Sequence, residues 1–396
     1  MATRKNFLSV FMDLSKAFDT INHDILITKL RYYGFSVSAA NLIKSYLSDR
    51  SQFVVYKGIP SDLLPLKLGV PQGSKLGPLL FIIYINDINI CSNVLHTILY
   101  ADDSTFSVCL DTLDLPDCRD QLPENMLNTE LNKVSGWLKA NHMCLNVKKT
   151  KFMIFSRTHS TQKINLYIDG INLEQVETFN FLGLLISENM NWTPHLNMIS
   201  RKLSKSTGIL SQLKFFVPRS VLRTIYFSLI HPHLTYQILA WGSQSKILFP
   251  YQKKAIRIIN NEHFLHHTDP LFKQSRILKL SDLYTLEQLK FYHRQNDGLL
   301  PHYFQSLIFP LNRDFHNYST RSADELRPSR PFTDYSRCII RNLVPKTVNS
   351  ISTYLYDALL TKSKDSFVSE FKKVTLQSYN DNCNVPDCYP CSRIRL

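Results

Sequence analysis

Apolar residues recur along this chain with two different spacings, and the switches between them mark out its elements. Residues 8–12 (Leu-Ser-Val-Phe-Met) are a short, mostly apolar run, the pattern of a strand buried on both faces. Over 23–33, Ile25, Leu26, Leu30 and Tyr33 fall at helical spacing, which predicts a helix stopping at Gly34. Ser38 is placed to cap a second helix carrying Leu42, Ile43, Tyr46 and Leu47. Residues 51–56 and 62–68 read as short strands leading into a Gly/Pro-rich loop at 69–78 and an apolar helix after it. Apolar strands then flank Tyr100-Ala101-Asp102-Asp103, followed by a helix at 122–140, a strand at 151–155 and a hairpin over 164–186. From Trp192 the spacing is helical: 195–215, 220–241, 251–261 and 278–300. Residues 301–350, rich in Pro, Asn, Arg and Ser, read as a loop-rich linker. The expected fold class is α+β, an antiparallel sheet with packed helices followed by a helical half.

Against this pattern a few acidic residues stand out. Asp102 and Asp103 are adjacent inside an apolar run, and neighbours in a strand point to opposite faces, so both reach one cleft best from the tight turn of a hairpin. Asp13 follows the strand at 8–12, a usual station for catalytic groups at the end of a sheet strand. Carboxylates with open coordination positions suit Mg²⁺, which takes oxygen ligands and leaves room for substrate phosphates. Asp19 and Asp87 read as structural, Asp19 as a cap for the helix that begins near Asn22.

Asp13-Leu-Ser-Lys-Ala-Phe-Asp19, Gly69-Val-Pro-Gln-Gly-Ser74 and Tyr100-Ala-Asp-Asp103, in this order, resemble motifs A, B and C of the reverse transcriptases of non-LTR retrotransposons, jockey-like elements in particular. Leu145-Asn-Val-Lys-Lys-Thr-Lys151 is similar to motif D and Phe181-Leu-Gly-Leu-Leu-Ile186 to the primer-grip hairpin. The resemblance implies a right-hand polymerase palm with partial fingers over residues 1–190, a helical thumb over 191–300, and a loop-rich region of unknown role over 301–396. It implies an RNA-directed DNA polymerase working on an RNA template, a DNA primer and deoxynucleoside triphosphates. Asp13, Asp102 and Asp103 would hold two Mg²⁺ ions for nucleotidyl transfer onto the primer 3′-hydroxyl. Phe18 would be the steric gate that excludes a 2′-hydroxyl, Gln72 and Gly73 would pack near the nucleotide, and Phe181, Leu182 and Gly183 would grip the primer. Lys149 would protonate pyrophosphate, with Lys148 and Lys151 equally placed by sequence. Phe18 and Tyr-Ala-Asp-Asp favour DNA over RNA synthesis.

Composition agrees with this picture. A formal net charge of +14 and a pI near 9.3 favour a polyanionic partner, and Lys202, Lys205, Lys214, Arg219 and Arg223 on the later helices suit phosphate contacts. No apolar run approaches the ~20 residues of a membrane-spanning helix, and no signal peptide precedes the first strand, so an intracellular site, nucleus or cytoplasm, and no membrane partner are expected. Cys383, Cys388 and Cys391 supply three thiols where a structural zinc needs four ligands, and read instead as a terminal tail. Only twelve residues precede Asp13, so a complete fingers region and an endonuclease domain are expected to be missing. The strand at 8–12 would then present an open edge. A truncated, inactive remnant that binds nucleic acid is the competing expectation.

Overall fold

A computed structural model describes residues 6–110, 122–156, 164–301, 304, 309–315, 321–329 and 339–380. The zinc expectation on Cys383, Cys388 and Cys391 lies outside the described residues. The chain divides into two compact units, one of residues 4–179 with 187–190, the other of residues 180–186 with 191 onward.

In the first unit the apolar run becomes β1 (Phe7–Met12), nearly every side chain of it buried. After β2 (Leu14–Ser15) come α1 (His23–Tyr32) and α2 (Val37–Leu47). The cap of α1 is Asn22, whose side chain accepts from the Asp24 and Ile25 amides, and not Asp19. The cap of α2 is Ser36 rather than Ser38; its hydroxyl reaches the Ala39 amide from just outside the first turn, where a capping oxygen must sit. The two strands expected at 51–56 and 62–68 are nested hairpins, β3 (Arg50–Gln52) with β6 (Leu64–Leu66) outside and β4 (Val55–Tyr56) with β5 (Ile59–Pro60) inside. Then follow α3 (Leu76–Ile85), the hairpin β7 (His96–Tyr100) and β8 (Asp103–Cys109), and α4 (Leu122–Ala140). β9 (Cys144–Leu145) and β10 (Lys151–Phe155) come next. The expected hairpin over 164–186 is three features: the ribbon β11 (Tyr167–Ile168) and β12 (Ile171–Asn172), the short strand β13 (Glu174–Gln175), and the hairpin β14 (Thr178–Phe181) and β15 (Leu184–Ser187).

The main sheet runs β13-β10-β1-β8-β7. β1 therefore lies inside it, antiparallel to β10 on one side and to β8 on the other, and the expected open edge at β1 is not found. One face carries Leu8, Val10, Met12, Phe106, Val108, Phe152 and Ile154 into a core shared with the helices, where Leu26, Leu30, Phe81, Tyr84, Leu131 and Val134 are almost wholly buried. Each such side chain contributes roughly 1.5–3 kcal/mol, so the strands that Asp13 follows and Asp103 begins are firmly held.

The second unit is helical after the hairpin tip: α5 (Thr193–Leu213), α6 (Arg219–Leu229), α7 (His231–Thr235), α8 (Ile238–Trp241), α9 (Phe249–Ile259), α10 (Asp269–Ser275) and α11 (Leu280–Asn296). The single helix expected over 220–241 is broken twice, before Pro232 and at Gln237, whose φ of +48° no helix can hold. The expected loop-rich C-terminal region forms α12 (Ile340–Ser350), α13 (Thr353–Thr361) and α14 (Lys364–Gln377). Val344, Leu359, Phe367 and Phe371 bury themselves in the same core as Tyr226, Trp241, Phe272 and Leu289.

Candidate active site

The register of the central strands decides where the acids stand. Phe11 pairs with Thr105 and Met12 with Ser104 across β1 and β8, where the ladder ends, so Asp13 follows β1 at the same end of the sheet at which Asp103 begins β8. On the other side of β8 the ladder closes with Tyr100 against Asp103, leaving Ala101 and Asp102 as the two-residue turn. Ala101 takes φ of +52°, a left-handed conformation that costs an L-residue about 1–2 kcal/mol. The hairpin tip therefore presents Asp102 from a strained turn between the largely exposed β7 and the mostly buried β8.

The charges of these carboxylates act on one another. Partial burial raises the pKa of Asp103 above the ordinary carboxylate value, and the negative charges of Asp102 and Asp13 raise it further. Among the described residues no group of three or more His, Cys, Asp or Glu side chains is gathered closely enough to hold a metal ion. Asp13, Asp102 and Asp103 are nonetheless oxygen donors, the type a hard divalent cation takes, and none of them is enclosed.

A second strand pair brings a cation to this cluster. β2 pairs with β9, Leu14 opposite Leu145, and the Asn146 amide donates to the Asp13 carbonyl at 2.8 Å. Asn146 in turn accepts from the Lys149 and Thr150 amides and from the Thr150 hydroxyl, folding residues 146–150 into a tight turn. Lys149 Nζ lies 3.6 Å from Asp13 Oδ2, with its side chain 70% exposed. So exposed a pair is worth less than about 1 kcal/mol; its meaning is positional. Lys151, equal to Lys149 by sequence, is committed to Glu174 of β13.

The Gly/Pro-rich loop docks onto the turn after Asp13. Gly69 N donates to Ile21 O at 2.8 Å, Val70 N to Phe18 O at 2.9 Å, and His23 Nε2 lies 2.7 Å from Gly69 O. Gln72 Nε2 donates to Asp19 Oδ1 at 2.9 Å, which gives Asp19 the role that capping does not. Phe18 stacks on Phe81 of α3, ring centroids 4.6 Å apart. Phe18, Gln72 and Gly73 are thus carried on two segments bonded to each other. Asp87 pairs with Lys29 at 2.6 Å, a partially buried bridge that also lies under the Tyr84 and Trp137 rings. Neither the Asp19–Gln72 nor the Lys29–Asp87 partnership had a signal in the sequence, since the partners are more than fifty positions apart.

Phe181, Leu182 and Gly183 fall at the tip of the β14–β15 hairpin, with Leu182 and Gly183 as its two turn residues. This tip belongs to the helical unit.

Comparison with known proteins follows the same motifs. Residues 1–186 match the family described as Reverse transcriptase (RNA-dependent DNA polymerase). The chain is 27% identical over 320 residues to a probable RNA-directed DNA polymerase from transposon BS of Drosophila melanogaster, covering 74% of this chain and 33% of that protein. It is 24% identical over 299 residues to the RNA-directed DNA polymerase of the mobile element jockey from the same organism, covering 71% and 31%. With the probable polymerase of the Drosophila X-element it shares 27% over 361 residues, covering 86% and 35%. The chain spans about a third of the length of these relatives. Among solved structures, a telomerase of Candida tropicalis in complex with a fragment of telomeric RNA overlaps 69% of this chain and 47% of its own. Its TM-score of 0.36 and identity of 11% are too low to carry weight. No helix among the described residues is long and apolar enough to cross a membrane. Residues 1–186 thus resemble the reverse transcriptases, and the chain's similarities lie with the polymerases of non-LTR retrotransposons.

Proposed function

We propose that this chain extends a DNA primer on an RNA template, with the first unit as the palm of a right-hand polymerase and the helices after residue 191 as its thumb. The observation that supports the proposal is the placement of Asp13 just after β1 and of Asp102 and Asp103 at the turn into its neighbour β8, where the charges of Asp102 and Asp13 add to burial in raising the pKa of Asp103. Asp13 and Asp102, supported by Asp103, would hold divalent metal, Mg²⁺ by the family's habit. Bound there, the metal would lower the cost of ionising the primer 3′-hydroxyl and neutralise charge on the triphosphate.

The chain's own residues supply position and protons. Phosphoryl transfer asks little covalent work of a protein, so holding the reactants in line supplies most of the catalysis. Phe18, fixed by stacking on Phe81, would lie under the nucleotide sugar and exclude a 2′-hydroxyl, while Gln72 and the Gly73 backbone would border the same nucleotide. Lys149 Nζ, beside Asp13, would give its proton to the departing pyrophosphate oxygen. The hairpin tip Phe181-Leu182-Gly183 would hold the primer. Lys202, Lys205 and Lys214 would add sequence-independent contacts to phosphates, weakened by salt.

Purified protein given a primer annealed to an RNA template, deoxynucleotides and Mg²⁺ should lengthen the primer, and Asp102→Ala should not. Binding of the duplex with no extension at any metal or salt concentration would instead support the reading of an inactive nucleic-acid-binding remnant.

A further inference from the structure

The β14–β15 hairpin is too small to hold its own shape, since an isolated two-stranded ribbon is marginal in water. Its turn residues Leu182 and Gly183 both lie in the left-handed region, at φ of +48° and +80°. That is the geometry a two-residue hairpin turn wants, but leucine adopts it at a cost of about 1–2 kcal/mol. Two arms from the helices hold it there. Tyr236 donates its hydroxyl to the Leu182 carbonyl at 2.8 Å, and its ring lies against Gly183, so close that a Cβ there would stand 3.2 Å from Tyr236 Cε1. On the returning strand the Leu185 amide donates to Nδ1 of His195 at 3.2 Å, and His195 is 2% exposed. Both arms meet at the buried Trp241. Its indole N–H donates to the Tyr236 carbonyl at 3.0 Å, and its ring packs 5.9 Å from that of His195. The left-handed Gln237, between α7 and α8, is the break that turns Tyr236 out of the helix toward the hairpin.

We propose that Tyr236 and His195 are positioning residues, which hold the tip Leu182–Gly183 in the shape that receives the recessed end of a primer strand. This rests on the primer-grip role proposed for the hairpin. The contact is at a surface and not in the core: Tyr236 is 53% exposed and Gly183 is open to solvent. A cleft of about 370 Å³ opens beside it, lined by Gly183, Tyr236, His195, Lys202 and His233. Lys202 is in no ion pair among the described residues, so the cleft offers a cation to a phosphate next to the tip. Nδ1 must be unprotonated to accept from Leu185, and burial first, then the charge of Lys202, hold His195 in that form.

The experiment uses the full chain, folded state checked by circular dichroism, with three readouts. These are amide exchange over 182–185, affinity for an RNA–DNA duplex with a recessed primer end, and affinity for a blunt duplex of equal length. Tyr236→Phe keeps the ring and removes one hydrogen bond, so exchange should quicken and recessed-end affinity should fall by about three- to tenfold, with blunt-duplex affinity unchanged. His195→Leu should do the same and His195→Gln, which retains an acceptor, should restore it; if His195→Leu does not fold, Tyr236→Phe decides alone. Faster exchange with unaltered preference for the recessed end would overturn the proposal, as would no change in either, or equal wild-type affinity for both duplexes. Wild-type protein that prefers the recessed end but never extends it would refute the polymerase reading and leave the clamp standing.

Discussion

Replacing Gly69 by alanine is the sharpest test of how the loop at 69–78 is joined to the segment carrying Phe18 and Asp19. Gly69 has φ of +83° and Gly73 has φ of +81°, so alanine at either pays a similar backbone strain, about 1–2 kcal/mol. The two sites differ in their surroundings. A Cβ on Gly73 would meet nothing within 4 Å, whereas one on Gly69 would lie 2.9 Å from both the Cα and the carbonyl oxygen of Asp19. Those atoms are backbone, and they cannot retreat without stretching the bonds from Gly69 to Ile21 and from Val70 to Phe18. Forcing extra volume into such a contact costs about 1–3 kcal/mol more. Gly69→Ala should therefore lose roughly 2–5 kcal/mol against about 1–2 for Gly73→Ala. For a domain of this size the gap is about 2–12 °C in melting temperature. Thermal melts of the two variants, read on the same transition, measure it. The expected companion effect is a raised KM for deoxynucleotides in Gly69→Ala, because Phe18 and Asp19 must move. Coincident melting of the two variants would refute the close docking of loop and turn.

Asp103→Asn should stabilise the protein near neutral pH in the absence of divalent metal. The folded Asp103 binds its proton more readily than in the unfolded chain, so its ionised form is a burden that disappears on acidification through the raised pKa, and the gain of the variant should fade there too. Melting curves in EDTA across pH 4–8 check the sign. Lys149→Met should lower the rate of nucleotide addition by about 10²–10⁴-fold if it is the general acid, and Lys148→Met should not; single-turnover extension separates them. Among the described residues the buried Ser104 hydroxyl has no hydrogen-bond partner, so Ser104→Ala should be neutral or stabilising, by up to about 1 kcal/mol, in chemical denaturation. His195, His231 and His233 all have pKa values lowered by burial below the ordinary 6.5. Unfolding then takes up protons, so stability should hold above pH 6.5 and fall as pH drops below it, and His231→Phe should flatten part of that slope.

What could be read from the sequence divides along a physical line. The strand at 151–155 and the helix at 122–140 were legible because one period persists over their whole length and the residues at the ends stop it. The hairpin turn at Ala101 and Asp102 was legible because two adjacent carboxylates inside an apolar run fit best at such a turn, and Tyr100 pairs with Asp103 to close it. The break of 220–241 into three helices was hidden because Leu222, Tyr226, Ile230, Leu234 and Trp241 stay in phase across Pro232 and Gln237, and the core they face is continuous. The helices over 340–377 were hidden by the polar, Pro-rich residues before them and by Pro345 within the first, although Ser352 caps the second by accepting from Leu355. Pairings such as Asp19 with Gln72, Lys29 with Asp87 and Leu182 with Tyr236 leave no local trace at all. Each consists of one residue meeting another more than fifty positions away, and the bond between them fixes the local backbone. A sequence motif thus marks the groups that do chemistry, which are constrained by what they are, while the groups that hold them in place are constrained by where they are, and only the fold displays that.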